Sequence, residues 1–351
     1  MQPAKLWRPL PQDSTQEGDQ PQGTVQCLLC NHFCRIVPGD HGTCGVRENV
    51  DGALFTHTAD KIAALNLDPV EKKPLYHFQP GSLTFSYGTM GCNLSCEFCQ
   101  NYTLSQPPRH NEPVTGRHIS PQDMVREAIA VGAKSVAATY SEPTIFFELM
   151  HATAIEAKKQ GLASIIVSNG FMSPDCLTEM IPVIDAANID LKSFRDTFYR
   201  TYCGARLAPV LKNLVRLKQE KVWLEVTTLV IPGLNDSYEE LADIAIFIHD
   251  ELGHDTPWHI SRFHPGYHMT NLPPTPEDTL ERAWQLGREA GLDYVYVGNA
   301  PGHMGNNTFC PSCCRMTIAR RGFSITRADP DGVCKGCGEP MAGVGLEDLG
   351  Q

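Results

Sequence analysis

The sequence predicts an α/β fold on parallel strands, with small cysteine-rich attachments at both ends. Three observations lead there. Between residues 83 and 298, strand-like apolar runs alternate with helix-like stretches in units of about 30 residues, the rhythm of β–α repeats in a barrel or open sheet. Helix starts and stops punctuate that rhythm. Three cysteines crowd one loop just past the first strand.

Strands are expected near 83–87, 135–139, 164–167, 187–191, 222–230, 258–263 and 294–297. Helices are expected near 121–131, 144–160, 174–181, 208–219, 238–252 and 276–289. Ser120-Pro121, Ser173-Pro174 and Thr275-Pro276 each place a capping hydroxyl before a proline that suits the first turn. Gly132, Gly161 and Gly291 are suited to end helices in the left-handed conformation. The first strand, Leu83-Thr84-Phe85-Ser86-Tyr87, alternates apolar and polar residues.

Composition bounds the function. The 351 residues, 42% of them hydrophobic, suffice for one large barrel-type domain with small attachments. A net charge of −11 argues against a broad nucleic-acid or anionic-membrane footprint, and only Arg320-Arg321 stands out as basic. No apolar run reaches the roughly 18 residues of a membrane span. Met1-Gln2-Pro3-Ala4-Lys5 lacks an apolar signal core, so the cytoplasm is the expected location. Fourteen cysteines, many at C-x2-C spacing, then read as metal ligands in a reducing compartment.

The central motif is Cys92, Cys96 and Cys99, spaced C-x3-C-x2-C, and the next cysteine downstream is Cys176 in another predicted element. Three thiolates suit a [4Fe–4S] cluster with one iron left open to a small molecule. A zinc knuckle lacking one ligand is the alternative, although zinc sites usually pair C-x2-C knuckles.

This motif, with the aromatic Phe98 before its last cysteine, resembles the signature of the radical SAM superfamily. The string from Gly91 to Asn101 is similar to glycyl-radical activating enzymes such as those of pyruvate formate-lyase. Asp68-Pro69-Val70-Glu71-Lys72-Lys73-Pro74-Leu75-Tyr76-His77-Phe78 and the terminal cysteine ribbon resemble the radical SAM members of the AmmeMemoRadiSam group. The resemblance runs from about Cys27 to Val344. It implies a partial (β/α)6 TIM-type barrel, a [4Fe–4S] cluster and S-adenosylmethionine (SAM). It also implies reductive cleavage of SAM to a 5′-deoxyadenosyl radical that abstracts a hydrogen atom from a substrate.

Strand ends supply the remaining candidates, because barrel chemistry sits at that face. Phe98 is implied to pack by the adenine. Glu142, in Tyr140-Ser141-Glu142-Pro143, matches the family's Gly-Gly-Glu-Pro element with both glycines replaced, and is implied to bind the methionine ammonium. A plain first-turn acid is the ordinary alternative. Ser168 and Asn169 could bond the ribose or form an Asn-Gly turn. Asp190 and Lys192 share one side of a strand, and the resemblance gives them the ribose and the SAM carboxylate, with a surface ion pair as the ordinary alternative. Val230 to Asp236 resembles an adenine-supporting loop, with Arg262 and His264 near the mouth. No catalytic hydrogen-atom relay is assigned.

The organisation expected is a flexible tail (1–24), a cysteine-rich segment with a hairpin bridge (25–80), the barrel (81–300) and a zinc ribbon (301–346). Cys27, Cys30, Cys34 and Cys44 form a four-thiolate set for structural zinc or a second cluster, with His32 as an alternative ligand. Asp51-Gly52 signals a hairpin turn, and Glu71, Lys72 and Lys73 read as a solvated turn or a hallmark near the site. Cys310, Cys313, Cys334 and Cys337 make two C-x2-C knuckles, a zinc ribbon with rubredoxin-like iron as the other metal. The leading function is a radical SAM oxidoreductase of unidentified substrate. Alternatives are an activating enzyme for a partner-protein glycine, a non-catalytic iron–sulfur and zinc scaffold or electron carrier, and a nucleic-acid modifier, which the acidic balance disfavours. Expected partners are an electron donor such as flavodoxin or ferredoxin and the other proteins of the AmmeMemoRadiSam system, with no membrane.

Overall fold

The computed structural model describes residues 1–11, 21–329 and 331–347. It divides into two compact units. The first comprises Met1–Leu67, Thr84–Asp185 and Cys203–Ala205, and the second Asp68–Leu83, Ala186–Tyr202 and Arg206–Gln351.

In the first unit, β1 (Leu83–Gly88), β2 (Ser135–Ala138) and β3 (Ala163–Ser168) run parallel, with β2 in the middle. Helices α1 (Pro121–Ala130), α2 (Phe147–Lys159) and α3 (Pro174–Met180) alternate with them. Ser120 and Ser173 accept from the backbone N–H groups of Asp123 and Cys176, as their capping role requires. Gly132 and Gly161 take φ of 76° and 75°, and the next residues, Ala133 and Leu162, donate back to Ala128 and Ala157. The alternation in β1 does not mark an exposed face. Thr84 and Ser86 are as buried as Phe85 and Tyr87, because a parallel strand is covered on both sides.

The amino-terminal segment is a set of small antiparallel pairs. Arg47–Val50 and Ala53–Thr56 form the hairpin, closed by Asp51 and Gly52 at φ of 51° and 88°. Two left-handed residues make a turn whose twist matches that of the strands. Gln2–Pro3 and Trp7–Pro9, expected within a tail, are strands paired to Phe55–Thr56 and Val25–Cys27. Residues 12–20 of that expected tail lie outside the described residues.

The second unit holds β4 (Ala186–Asp190), β5 (Trp223–Val230), β6 (Trp258–Arg262) and β7 (Val295–Gly298), parallel and paired in that order. Helices α4 (Leu207–Gln219), α5 (Tyr238–Phe247) and α6 (Glu277–Glu289) lie between them in sequence. This alternation is the α/β class expected of a partial barrel. Thr275 is not a cap: its hydroxyl donates to Val230 O and accepts from Phe263 N, tying the ends of β5 and β6.

The stretch expected as a solvated turn is largely buried. Lys73 is 2% exposed and its ammonium meets Asp68 at 2.7 Å, while Glu71 accepts from Gly81 N. Only Lys72 projects, pairing with the same Asp68. Further on, the N–H groups of Tyr76 and His77 donate to the two oxygens of Glu225, a fully buried acid on β5. His259 and Trp223 complete its partners at 2.6 and 3.0 Å. Arg320 donates to Thr308, which pairs with the Tyr296 hydroxyl, and that hydroxyl meets His77 Nε2 at 2.5 Å. Arg320 Nη2 also donates to Tyr76 O, while its buried Nε has no hydrogen-bond partner among the described residues. No helix among the described residues is long and apolar enough to cross a membrane.

Candidate functional site

The loop from Thr89 to Asn101 leaves the end of β1 and carries Cys92, Cys96 and Cys99. Gly91 makes its entry possible. Its φ is 105°, and a Cβ there would stand 2.6 Å from Val46 Cγ1. The backbone of the loop is pinned from several directions. Arg109 Nη2 donates to Cys92 O, His32 Nε2 donates to Asn93 O, and Gln106 Nε2 donates to Leu94 O. His32 is therefore engaged with the triad loop, where the sequence offered it as a ligand alternative for the amino-terminal thiols. Leu94 and Phe98 are buried and anchor the apolar side.

Sequence-distant groups converge on Cys92. Asn169, one residue past β3, directs Nδ2 to Asn93 Oδ1 at 2.8 Å and stands 3.8 Å from Cys92 Sγ. Glu142 is 1% exposed. Its Oε1 accepts from Thr144 N, Thr144 Oγ1 and Ser168 Oγ, and its Oε2 accepts from Asn169 N at 2.9 Å. Glu142, Ser168 and Asn169 are thus one hydrogen-bonded group against the first cysteine. Glu142 also caps the short helical turn Pro143–Phe146, so the local role coexists with the convergence. Tyr140, where the resembling families carry glycine, takes φ of 68°, and Asn66 Nδ2 donates to its hydroxyl.

The electrostatics are those of a cation-seeking site. Burial pushes the Cys92 thiol well above its usual range, and the Glu142, Cys96 and Cys99 charges push it further. Burial likewise raises Glu142 above the ordinary carboxylate value, against the pull of its Asn169, Thr144 and Ser168 donors.

Within the second unit, Lys192 Nζ meets Asp190 Oδ2 at 2.8 Å at the end of β4. Buried Asn235 organises the following loop, donating to Lys192 O and Leu229 O while accepting from Ile231 N. His264 is exposed just past β6, and Arg262 donates to Thr275 O.

Two further thiol sets stand outside the triad. Cys27, Cys30, Cys34 and Cys44 face one another closely enough that, after burial, their mutual charge raises Cys30. Arg47 Nη1 approaches Cys27 Sγ at 3.6 Å and its Nη2 pairs with Glu148, a contact the sequence does not announce. This segment is knitted to the loop after β3: Asn31 donates to Phe171 O and Met172 O, and Ser173 donates to Leu28 O. In the second unit the sulfurs of Cys310, Cys313, Cys334 and Cys337 all lie within 4.8 Å of one another. The Cys310–Cys337 and Cys313–Cys334 separations, 3.5 and 3.6 Å, approach the ~3.8 Å edge of a tetrahedron with metal–sulfur bonds of about 2.3 Å. The set could therefore hold a metal ion. Between its two knuckles, the strands Met316–Arg321 and Ser324–Arg327 form an antiparallel hairpin.

Residues 86–245 match the family model for the radical SAM superfamily. The chain is 42% identical to the uncharacterized protein MJ0808 of Methanocaldococcus jannaschii over 90% of this chain and 95% of the relative. It is 27% identical to the benzylsuccinate synthase activating enzyme of Thauera aromatica, over 38% of this chain and 43% of that protein. With the (2S)-3-sulfopropanediol dehydratase activating enzyme of Klebsiella oxytoca it shares 25% identity, over 32% and 35%.

Proposed function

Because this chain belongs to the radical SAM superfamily, we propose that Cys92, Cys96 and Cys99 hold a [4Fe–4S] cluster whose open iron binds SAM. The residues present fit these groups. Three thiols on a buried loop beside a buried acid repel one another as anions, and bound iron relieves that repulsion. Asn93 Nδ2 is buried with no protein partner among the described residues, a donor that a sulfur-rich anion would satisfy. When bound, the cluster supplies one electron to the SAM sulfonium, and the nucleoside half takes a hydrogen atom from a substrate.

The protein's part is to bind and orient. Glu142, raised by burial, gains most from a cation and is proposed to hold the methionine ammonium. Its four donors fix the carboxylate before any ligand arrives. Asn169 couples that carboxylate to Cys92 through its N–H and its side chain. Ser168 and Asn169 are the proposed ribose contacts, and Phe98 the adenine contact. Asp190 and Lys192 keep the ribose and SAM-carboxylate roles that the resemblance gives them, and His264 is proposed as a contact from its place at a strand end. The single observation that carries this reading is the convergence of Glu142 and Asn169 on the first cysteine of the triad.

The substrate proposed is a protein or peptide, because two relatives are named activating enzymes. A glycine of a partner protein is the specific form of that reading, and a small electron carrier such as flavodoxin or ferredoxin is the proposed reductant. Anaerobic protein given SAM and dithionite is expected to release 5′-deoxyadenosine. Cys96→Ala should bind less iron and release none. A Cys96→Ala protein that still formed 5′-deoxyadenosine would overturn the assignment.

A further inference from the structure

We propose that His41, Glu48 and His57 form a separate site for one divalent transition-metal ion with nitrogen and oxygen ligands. His57 Nε2 lies 2.8 Å from Glu48 Oε2, and His41 Nε2 lies 3.6 Å from the same oxygen. All three donor atoms fall within 4.8 Å of one another. The imidazole rings lie side by side, with centroids 5.8 Å apart and planes at 26°, and both Nε2 atoms stand near the same carboxylate oxygen. Two imidazoles and one carboxylate are the donor set of open zinc sites and of non-haem ferrous sites.

Three backbone segments hold the donors in place. Glu48 lies on the hairpin strand Arg47–Val50, directly across an antiparallel bridge from His41. The turn carrying His41 is bonded on both sides, by Asn49 N to Asp40 O and by Gly42 N to Arg47 O. His57 N donates to Val46 O just beyond the partner strand. An ion there would replace a proton between fixed groups, with little side-chain ordering left to do. His41 is 37% exposed, which leaves access from solvent. It also lines a cleft of about 370 Å³ with Asp40, Thr43, Arg109 and Asn111. An ion held by three protein ligands would keep open positions at the rim of that cleft for water or an anionic group.

The test uses the full chain, purified anaerobically with its cysteine sites loaded, and Co²⁺ as the probe. About one further equivalent of cobalt is expected, with d–d absorption, no added thiolate-to-cobalt charge transfer, and imidazole scattering in X-ray absorption of the unmutated protein. His41→Asn, Glu48→Gln and His57→Asn should each weaken that binding by roughly tenfold or more, the loss of about 1.4 kcal/mol of affinity. Extra cobalt bound by sulfur, no extra cobalt, or variants that bind cobalt as tightly as the unmutated protein would each overturn the proposal.

Discussion

Replacing Glu142 by glutamine tests the site most directly. The substitution keeps size and removes charge. One oxygen can still accept from Thr144 and Ser168, but the new amide NH2 then faces the N–H of Asn169, donor against donor, where a 2.9 Å bond stood. A hydrogen bond to a charged group is worth about 1.5–3 kcal/mol. Losing the proposed charge-assisted bond to the SAM ammonium should therefore weaken SAM binding roughly ten- to a hundredfold. The triad is untouched, so iron and sulfide content should hold. Equilibrium dialysis of SAM against the reduced-cysteine, cluster-loaded protein reads the affinity, and circular dichroism with iron analysis controls for folding. Thr144→Val removes one neutral donor and keeps the charge, so its affinity should fall by no more than about threefold, a fraction of a kcal/mol. Wild-type affinity in a folded, iron-replete Glu142→Gln protein would show that Glu142 only caps its helical turn, and would refute the argument.

Burial depresses His77 to about 4 from its usual value of 6.5. The unfolded chain takes up that proton as pH falls through its ordinary range, while the folded one resists, so stability should drop between pH 6.5 and about 4. The full difference is roughly 3 kcal/mol. Urea unfolding followed by Trp fluorescence should show this slope, and His77→Gln should flatten it. Cys313→Ser should release metal from the ribbon and expose its hairpin to proteolysis while the iron content stays constant, because so small a lobe has little core of its own. At Tyr140 the left-handed backbone makes a β-branched residue costly, by about 1–3 kcal/mol. Tyr140→Val should lower the melting temperature more than Tyr140→Gly, and equal melting would remove the strain argument.

Local signals carried most of the fold and the chemical class of the site. Cysteine spacing at Cys92, Cys96 and Cys99, the Ser120 and Ser173 caps, and the Asp51-Gly52 turn are each determined within a few residues, where sequence neighbours are spatial neighbours. Such signals are legible in the sequence itself. The tertiary structure decided what depends on distant meetings. Nothing in the spacing announces that Glu225 gathers the N–H groups of Tyr76 and His77, nearly 150 positions away, or that Arg47 reaches both Cys27 and Glu148. Burial of Lys73 and Glu71 is hidden for the same reason: a charged run reads as solvated until Asp68 is seen beside Lys73 and Gly81 N on one oxygen of Glu71. Thr275 reads as a cap because a hydroxyl precedes a proline, yet longer-range partners, Val230 O and Phe263 N, claim it. Residue type and spacing set which chemistry the chain can support. Which donors face which acceptors inside a low-dielectric interior is settled only when the chain closes on itself.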